Sequence, residues 1–256
     1  MTAAAGGGKL VAAGGGKATA AGGPVTLIVL AKAPLRGLVK TRLAAVAGDD
    51  FALAAYRAML ANVLAAAAAS GLPTLVAHAP AGAGASLREL CGPGLALVPQ
   101  APGDLGARMA AALAGVLAGG AGAALLVGAD LPLLDGSLLA GAAGLLSRRD
   151  AVLGPALDGG YYAIGFTRAG FCPEVFTDMA WSGPEVFART LGRLRRCGRR
   201  VGLLPRLPDC DTAADLQRLR GEPWRGRLAG TPFGRFLAAT AGDTFDRDPD
   251  NRLSVP

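Results

Sequence analysis

Short apolar runs that alternate with helical segments constrain the fold of this chain most. Residues 25–31 and 124–128 are continuous apolar stretches of strand length, which is typical of strands buried on both faces. Residues 50–69 carry apolar side chains at helical spacing and predict a long alanine-rich helix. Further strands are predicted at 74–77, 95–98, 151–155, 161–166 and 201–204, and further helices at 105–117, 136–147, 185–196 and 213–220. Because strands alternate with helices, we expect an α/β fold with a mainly parallel, doubly wound, Rossmann-like sheet and helices on both faces.

Composition sets the number of domains. The chain has 256 residues, of which 52% are hydrophobic and 18% are charged, which excludes a mainly disordered chain and suits one sizeable domain. Residues 1–23 form an Ala/Gly tract that can bury little surface, so a disordered tail is predicted there. We therefore expect one folded domain at 24–240 and a flexible C-terminal tail at 241–256.

Composition also excludes several classes of function. A single histidine, His78, argues against a histidine-ligated metal centre and against a Ser-His-Asp triad. The four cysteines show no C-x-x-C spacing, so we expect them to be packing residues rather than a zinc ribbon or a disulfide scaffold. The net charge is +7, but no aromatics are interleaved with the arginines, and no window has about 20 uninterrupted apolar residues. These observations predict a cytoplasmic protein that binds neither nucleic acid polymers nor membranes.

A basic loop follows the first predicted strand. Its sequence is AKAPLRGLVKTRL (residues 31–43), with four cations in eleven residues and no acidic residue. It is neither a Walker A loop nor a G-x-G-x-x-G fingerprint. Elsewhere in the folded part arginine has replaced lysine, which indicates that compact ammonium groups are required here. We predict a phosphate-binding loop, in which Pro34 and Gly37 shape the turn and the two lysines neutralise phosphate charge; the alternative is a basic surface loop with ordinary turn residues.

Two aspartates are candidate metal ligands. Asp130 directly follows the buried strand 124–128, at the sheet edge where ligands of such folds bind. If that strand neighbours the first one, Asp130 lies beside the basic loop. Asp211 precedes Thr212 and Asp215, whose spacing predicts a capping box and leaves Asp211 free to act as a second ligand. Carboxylates suit a hard divalent cation that bridges phosphates, which predicts Mg²⁺ or Mn²⁺.

A less specific stretch, QAPGDLGARM (residues 100–109), leads into the helix predicted at 105–117. Asp104 has the position of a helix N-cap, so the stretch is consistent with an ordinary loop. The functional alternative is that Gly106 and Arg108 contact the phosphates or the nucleoside of a nucleotide.

Two further stretches are candidates for the opposite, acceptor side of the site. Residues 158–160, Asp-Gly-Gly, fit an ordinary hairpin turn between two strands. The functional alternative is that Asp158 and Gly159 contact a sugar or an acceptor. Trp181 would then line the same side of the site.

Six motifs in this order, over about residues 24–220, resemble one bacterial family: AKAPLRGLVKTRL, QAPGDLGARM, VGADLPLL, LGPALDGGYYAIG, AWSGPEVF and DCDTAADL. That family has the single-domain glycosyltransferase-A (nucleotide-diphospho-sugar transferase) fold and is associated with radical-SAM/selenium-domain genes and arsenosugar biosynthesis. The chain more distantly resembles 2-phospho-L-lactate and molybdenum-cofactor guanylyltransferases. The resemblance implies that Lys32, Lys40 and Arg42 contact nucleotide phosphates and that Asp130 and Asp211 share a magnesium ion.

The resemblance implies a metal-dependent transferase with Lys40, Asp130 and Asp211 at the reacting centre. Its donor would be a nucleotide sugar and its acceptor a small molecule, so that the reaction is glycosyl transfer. The alternative is a nucleotidyltransferase that joins a nucleoside triphosphate to a phosphorylated small molecule and releases pyrophosphate. A non-catalytic nucleotide-binding protein is a third possibility. The base, the acceptor and the oligomeric state are left open.

Overall fold

A computed structural model describes residues 23–181 and 183–242 of the chain. The disordered tails predicted at 1–23 and 241–256 lie outside the described residues, except for their inner ends at Gly23 and at 241–242.

The described residues form one seven-stranded sheet. Its strands are β1 (Val25–Lys32), β2 (Thr74–Ala79), β3 (Ala96–Pro99), β4 (Ala123–Gly128), β5 (Ala151–Pro155), β6 (Tyr161–Thr167) and β7 (Val201–Leu203). Their order across the sheet is β3-β2-β1-β4-β6-β5-β7. β6 runs antiparallel to both of its neighbours, whereas the other pairs are parallel. The mainly parallel sheet is confirmed; β6 is reversed because the five-residue connection from β5 is too short for a crossover.

The helices of the described residues flank the sheet. They are α1 (Thr41–Ala47), α2 (Asp49–Ser70), α3 (Gly84–Cys91), α4 (Leu105–Ala118), α5 (Gly136–Leu146), α6 (Val186–Arg196), α7 (Ala213–Arg220), α8 (Trp224–Leu228) and α9 (Pro232–Ala239). Single 3₁₀ turns lie at Ala81–Ala83 and Pro173–Phe176. The sequence predicted α2, α4, α5, α6 and α7 to within one or two residues at each end. It missed α1, α3, α8 and α9, which have eight residues or fewer and therefore show little periodicity.

Two apolar cores lie on opposite faces of the sheet. Alternate residues of β1 enter different cores, with Leu27 and Val29 on one face and Ile28 on the other. The first core includes side chains of α2, α5, α7 and α9, and the second includes side chains of α4 and α6. This arrangement confirms the prediction of helices on both faces.

One helix among the described residues, α2, is long and apolar enough to cross a membrane by length and composition. Half of its apolar window is buried inside the fold. Met59, Leu60 and Val63 are fully buried in the first core. The packing of this domain therefore accounts for the apolar character of α2.

The strand order brings the predicted site residues to one edge of the sheet. β1 and β4 are parallel neighbours, and Leu30 near the end of β1 pairs with Gly128 at the end of β4. The basic loop therefore leaves the sheet beside the segment that carries Asp130, as expected. A bridge between Ala156 and Leu207 holds the segment before α7 against the β5–β6 hairpin at the same edge.

Candidate functional site

A cavity of about 420 Å³ opens at this carboxyl edge of the sheet. Seven of the predicted site residues line it: Lys32, Lys40, Arg108, Asp130, Asp158, Trp181 and Asp211. Its volume is within the range of cavities that hold small ligands and cofactors. The tertiary structure thus brings together residues that are up to 179 positions apart, from Lys32 to Asp211.

Lys40 lies at the centre of the charged half of the cavity. Its side chain is only 4% exposed, and its Nζ lies 2.6 Å from Oδ2 of Asp130 and 3.6 Å from Oδ1 of Asp211. Arg42 donates from Nη1 to Oδ2 of Asp211 at 3.1 Å. Lys40 precedes α1 with φ +48°, a left-handed conformation that costs energy for a residue with a side chain. Lys40 therefore combines a left-handed backbone with a buried ammonium that contacts both aspartates.

Electrostatics keep this cluster ionised. Burial favours the neutral amine of Lys40, but the charges of Asp130 and Asp211 outweigh burial and raise its pKa. Burial also disfavours the Asp130 carboxylate, yet the Lys40 ammonium lowers its pKa below the ordinary value. A third carboxyl, Asp209, lines the same cavity, and burial followed by the Asp158 charge raises its pKa. Asp209, like Asp211, precedes the predicted capping box, and no local sequence signal singled it out.

Two polar side chains of α2 hold the loops that carry the site. The Tyr56 hydroxyl accepts the Lys32 N–H at 3.0 Å and donates to the Lys32 carbonyl at 2.8 Å. Buried Asn62 donates from Nδ2 to the carbonyl oxygens of Pro132 at 2.9 Å and Leu134 at 3.2 Å. These contacts fix the end of β1 and the loop after β4. Neither residue was predicted from the sequence, although a lone tyrosine and a lone asparagine on an alanine-rich helix are a usable signal.

The segment before α7 has the predicted capping box. Thr212 Oγ1 accepts the Asp215 N–H at 3.2 Å, and Asp215 Oδ2 accepts the Thr212 N–H at 2.9 Å. Asp215 also pairs with Arg218 at 2.7 Å. The side chain of Asp211 takes no part in the box and is directed to Lys40 and Arg42 instead.

Arg108 and Gly106, which were predicted to contact the nucleotide, have different surroundings. Arg108 lines the cavity and donates from Nε to the Gly103 carbonyl at 2.9 Å, while Asp104 caps α4 as predicted. Gly106 packs at the start of α4, where an added Cβ would lie 2.4 Å from the Phe176 carbonyl oxygen. A contact between Gly106 and a nucleotide remains a prediction.

The basic loop divides its cations between the cavity and the surface. Arg36 pairs with Asp49 at 3.4 Å and Asp50 at 2.8 Å, on the surface near the start of α2. Gly37 has φ +76°, which favours glycine, and Pro34 is buried. Both residues therefore shape the loop, and a direct phosphate contact for them stays a prediction.

The opposite wall combines a hairpin with aromatic rings. Asp158 is exposed to the cavity and accepts the Gly160 N–H at 2.9 Å. Gly159 has φ +93°, and an added Cβ would lie 2.0 Å from the Pro184 carbonyl oxygen, so it packs the hairpin against the segment before α6. Trp181 lies edge-on to Tyr161, with ring centroids 6.4 Å apart.

A divalent cation fits between the two aspartates. Asp130 and Asp211 both direct an oxygen at one cation, the Lys40 ammonium, and their side chains are 46% and 37% exposed. Two carboxylates with water completing the shell are the protein ligands that Mg²⁺ commonly takes. A metal in that position would require the Lys40 ammonium to move away from the two carboxylates, and the metal site stays a prediction.

The sheet order, the reversed β6 strand and the cavity at the carboxyl edge define the fold of the nucleotide-diphospho-sugar transferases, which is glycosyltransferase-A-like. A matching solved structure is that of a Desulfovibrio desulfuricans G20 protein provisionally described as a nucleotide-diphospho-sugar transferase. It is 30% identical, covers 86% of this chain and 96% of its own, and has a TM-score of 0.79. The chain belongs to the same family as that protein.

Other comparisons are more distant. Residues 60–183 match a family model described as an uncharacterized protein conserved in bacteria (DUF2064). The 4-diphosphocytidyl-2C-methyl-D-erythritol synthase of Anaerococcus prevotii DSM 20548 shares the fold at 9% identity, covering 75% of this chain and 94% of its own, with a TM-score of 0.52. A manganese complex of Rv0371c from Mycobacterium tuberculosis H37Rv is 20% identical, covers 77% of this chain and 97% of its own, and has a TM-score of 0.49. No curated protein matches the sequence.

Proposed function

We propose that this chain is a metal-dependent transferase that moves a glycosyl group from a nucleotide sugar to a small acceptor. The observation that carries the proposal is the buried Lys40 ammonium between Asp130 and Asp211, at the edge of the cavity. The provisional description of the Desulfovibrio relative as a nucleotide-diphospho-sugar transferase supports the same choice of donor.

The donor phosphates bind on the side of the basic loop. Lys32 and Arg108 line the cavity there, and Arg42 lies beside Asp211. Cationic side chains bind phosphate oxygens through short charge-assisted hydrogen bonds. Arg42 is 72% exposed, so its guanidinium can reach phosphate without leaving a buried position.

Asp130 and Asp211 hold the divalent cation in this proposal. When bound, the cation offsets the negative charge that develops on a departing nucleoside diphosphate. Lys40, released from its contact with Asp130, donates to the same phosphate oxygens and adds to that stabilisation.

The acceptor binds against the opposite wall. Its hydroxyl oxygen attacks the anomeric carbon, and the bond from that carbon to the phosphate oxygen breaks, with the electron pair leaving on the nucleoside diphosphate. Asp158, which lines this side, accepts a hydrogen bond from the hydroxyl, orients it and takes up its proton as the new bond forms. Trp181 and Tyr161 supply an apolar surface for the acceptor.

Nucleotidyl transfer is the second candidate. The specific observation in its favour is that the cations Lys32, Lys40 and Arg108 all line one cavity, which suits the higher charge of a triphosphate. In that reaction an acceptor phosphate oxygen attacks the α-phosphorus, and pyrophosphate leaves.

A thermal-shift series tests the proposal, because a ligand that binds only the folded state raises the melting temperature Tm. The panel contains the four ribonucleoside triphosphates and UDP-, GDP- and CDP-sugars, each with magnesium or with EDTA. We expect a magnesium-dependent rise that is larger for one nucleotide sugar than for its parent triphosphate. Glycosyl transfer is then followed as release of the nucleoside diphosphate.

Two variants of the same loop sharpen this test. Lys40→Met removes the ammonium in the cavity and is expected to weaken donor binding by about 10- to 100-fold, from the loss of a charge-assisted hydrogen bond. Arg36→Met is the matched control, because Arg36 pairs with Asp49 and Asp50 on the surface. Equal weakening by both variants contradicts the site. A shift with a single triphosphate and pyrophosphate release selects nucleotidyl transfer, and binding without turnover selects a non-catalytic nucleotide-binding protein.

A further inference from the structure

Two cysteine sulfurs meet outside the nucleotide cavity. Sγ of Cys172 lies 2.6 Å from Sγ of Cys197, although the residues are 25 positions apart in sequence. Cys172 is buried and precedes the 3₁₀ turn at Pro173–Phe176, whereas Cys197 is exposed and follows α6. The sequence predicted packing roles for all four cysteines, and nothing in their spacing indicated this contact.

The distance between the two sulfurs limits the chemical state of the cysteine pair. Two sulfurs that are not bonded repel each other well outside 2.6 Å, so the pair either forms a bond or moves apart. A disulfide needs a separation of about 2.05 Å, which a small side-chain movement supplies. Tetrahedral zinc, with Zn–S of about 2.3 Å, would hold two thiolates about 3.8 Å apart. Although Glu174 lies near enough to complete a three-ligand group, the observed separation is closer to that of a disulfide.

We propose that Cys172 and Cys197 form a reversible disulfide that joins the 3₁₀ turn before the aromatic wall to the end of α6. The oxidant is a small-molecule disulfide, which reacts by thiol–disulfide exchange.

The exposed thiol reacts first. The Cys197 thiolate attacks one sulfur of the small disulfide, forming a mixed disulfide and releasing one thiolate. The Cys172 thiolate then attacks Sγ of Cys197, the mixed disulfide breaks, and the second small thiolate leaves. The two protein thiols lose two protons and two electrons, and the small disulfide becomes two thiols. Burial raises the pKa of Cys172 to about 12 and keeps this thiol protonated, so the exposed Cys197 is the sulfur that reacts first and ring closure by Cys172 is the slower step.

The disulfide would close a loop that contains one wall of the cavity. Phe176 and Trp181 lie inside this loop, with ring centroids 6.5 Å apart, and Phe176 also packs against Gly106. Arg193 of α6 already donates to backbone carbonyls of this segment, including that of Val175 at 3.2 Å. An added covalent link would therefore reduce the motion of the wall that carries Trp181. An effect on acceptor binding rests on the proposed function, but the disulfide itself does not.

Oxidation of the full-length protein tests the proposal. The purified protein is incubated with oxidised glutathione, and its intact mass, peptide map and Tm are measured before and after reduction with dithiothreitol. We expect a mass loss of about 2 Da, the two thiol hydrogens, and a cross-linked peptide pair that contains Cys172 and Cys197. Closing a loop of this length is expected to raise Tm by about 5–10 °C, reversibly.

Two serine variants separate the outcomes. Cys197→Ser is expected to abolish the mass loss and the rise in Tm, and Cys91→Ser is expected to retain both. Three outcomes would overturn the proposal: four thiols that remain free, a stable glutathione adduct on Cys197 without closure, or a cross-link that involves Cys91. Binding of one zinc ion by the reduced protein, lost in both Cys197→Ser and Glu174→Gln, would overturn it in favour of a metal site. None of these readouts depends on the nucleotide, so failure here is distinguishable from failure of the proposed function.

Discussion

Two glycines of α4 have opposite surroundings, so the same substitution should change stability in opposite directions. An added Cβ at Gly106 would lie 2.4 Å from the Phe176 carbonyl oxygen and 2.5 Å from the Trp181 ring. An added Cβ at Gly115 would have no neighbour within 4 Å, and Gly115 is exposed. Gly106→Ala therefore tests the packing of the cavity wall, and Gly115→Ala is its control in the same helix.

The expected changes in the free energy of unfolding follow from two opposing effects. Alanine is favoured over glycine inside a helix by about 1 kcal/mol; this gain is available in full at Gly115 and at most in full at Gly106, which lies in the first turn of α4. At Gly106 it is smaller than the overpacking cost, which is about 1–3 kcal/mol and falls near the upper end because a backbone oxygen must move. We expect Gly106→Ala to lower the free energy of unfolding by about 2 kcal/mol, and Gly115→Ala to raise it by about 0.5–1 kcal/mol.

Thermal unfolding of the two variants measures these effects. In a domain of this size 1 kcal/mol corresponds to about 2–4 °C, so Gly106→Ala should lower Tm by about 4–8 °C and Gly115→Ala should raise it slightly. Because Trp181 must shift, Gly106→Ala should also change the intrinsic tryptophan fluorescence. Equal changes in Tm for the two variants would refute the packing argument for Gly106.

Three further predictions concern other parts of the fold. Asn62→Ala leaves two buried carbonyls without a donor and should cost about 1–3 kcal/mol in urea unfolding; an unchanged midpoint would contradict the role of this side chain. The Arg200 side chain and N–H hold the pKa of Asp150 below its ordinary value. The stabilisation is present at neutral pH and is lost as the pH falls below about 3.9, so the Tm deficit of Asp150→Asn should shrink across that range. Gly159→Ala should cost at least about 2 kcal/mol in thermal unfolding, because φ is +93° and a backbone oxygen would lie 2.0 Å from the new Cβ. Gly198→Ala, with φ +69° but open space, should cost only about 1 kcal/mol.

Local sequence patterns predicted the elements that carry many apolar residues. The strand runs near Val25 and Ala124 and the helix that contains Met59 are long enough for their periodicity to be clear. Capping signals were also accurate, because Asp104, Thr212 and Asp215 act on backbone groups within three residues. The short helix α9 was missed, although Thr231 caps it and proline follows.

The site was predicted less completely than the fold. Lys40 and Asp130 were predicted to lie close together because Asp130 follows a buried strand and Lys40 belongs to the basic loop after the neighbouring strand, and the structure confirms their contact. Tyr56 and Asn62 were missed because their partners, at Lys32 and Pro132, are 24 and 70 positions away along the chain. Gly106 and Gly159 were predicted to contact ligands, but their close packing partners, Phe176 and Pro184, are visible only in three dimensions.

The sequence alone determined the α/β class, the order of the main elements and the loops in which to look for chemistry, because hydrophobic periodicity and capping act over a few residues. Only the tertiary structure decided that β6 lies between β4 and β5, that Lys40 is buried between Asp130 and Asp211, and that Cys172 meets Cys197. These contacts join segments that are 25 to 171 positions apart. The pairing of such segments depends on strand order and on packing across the sheet, which no local pattern encodes.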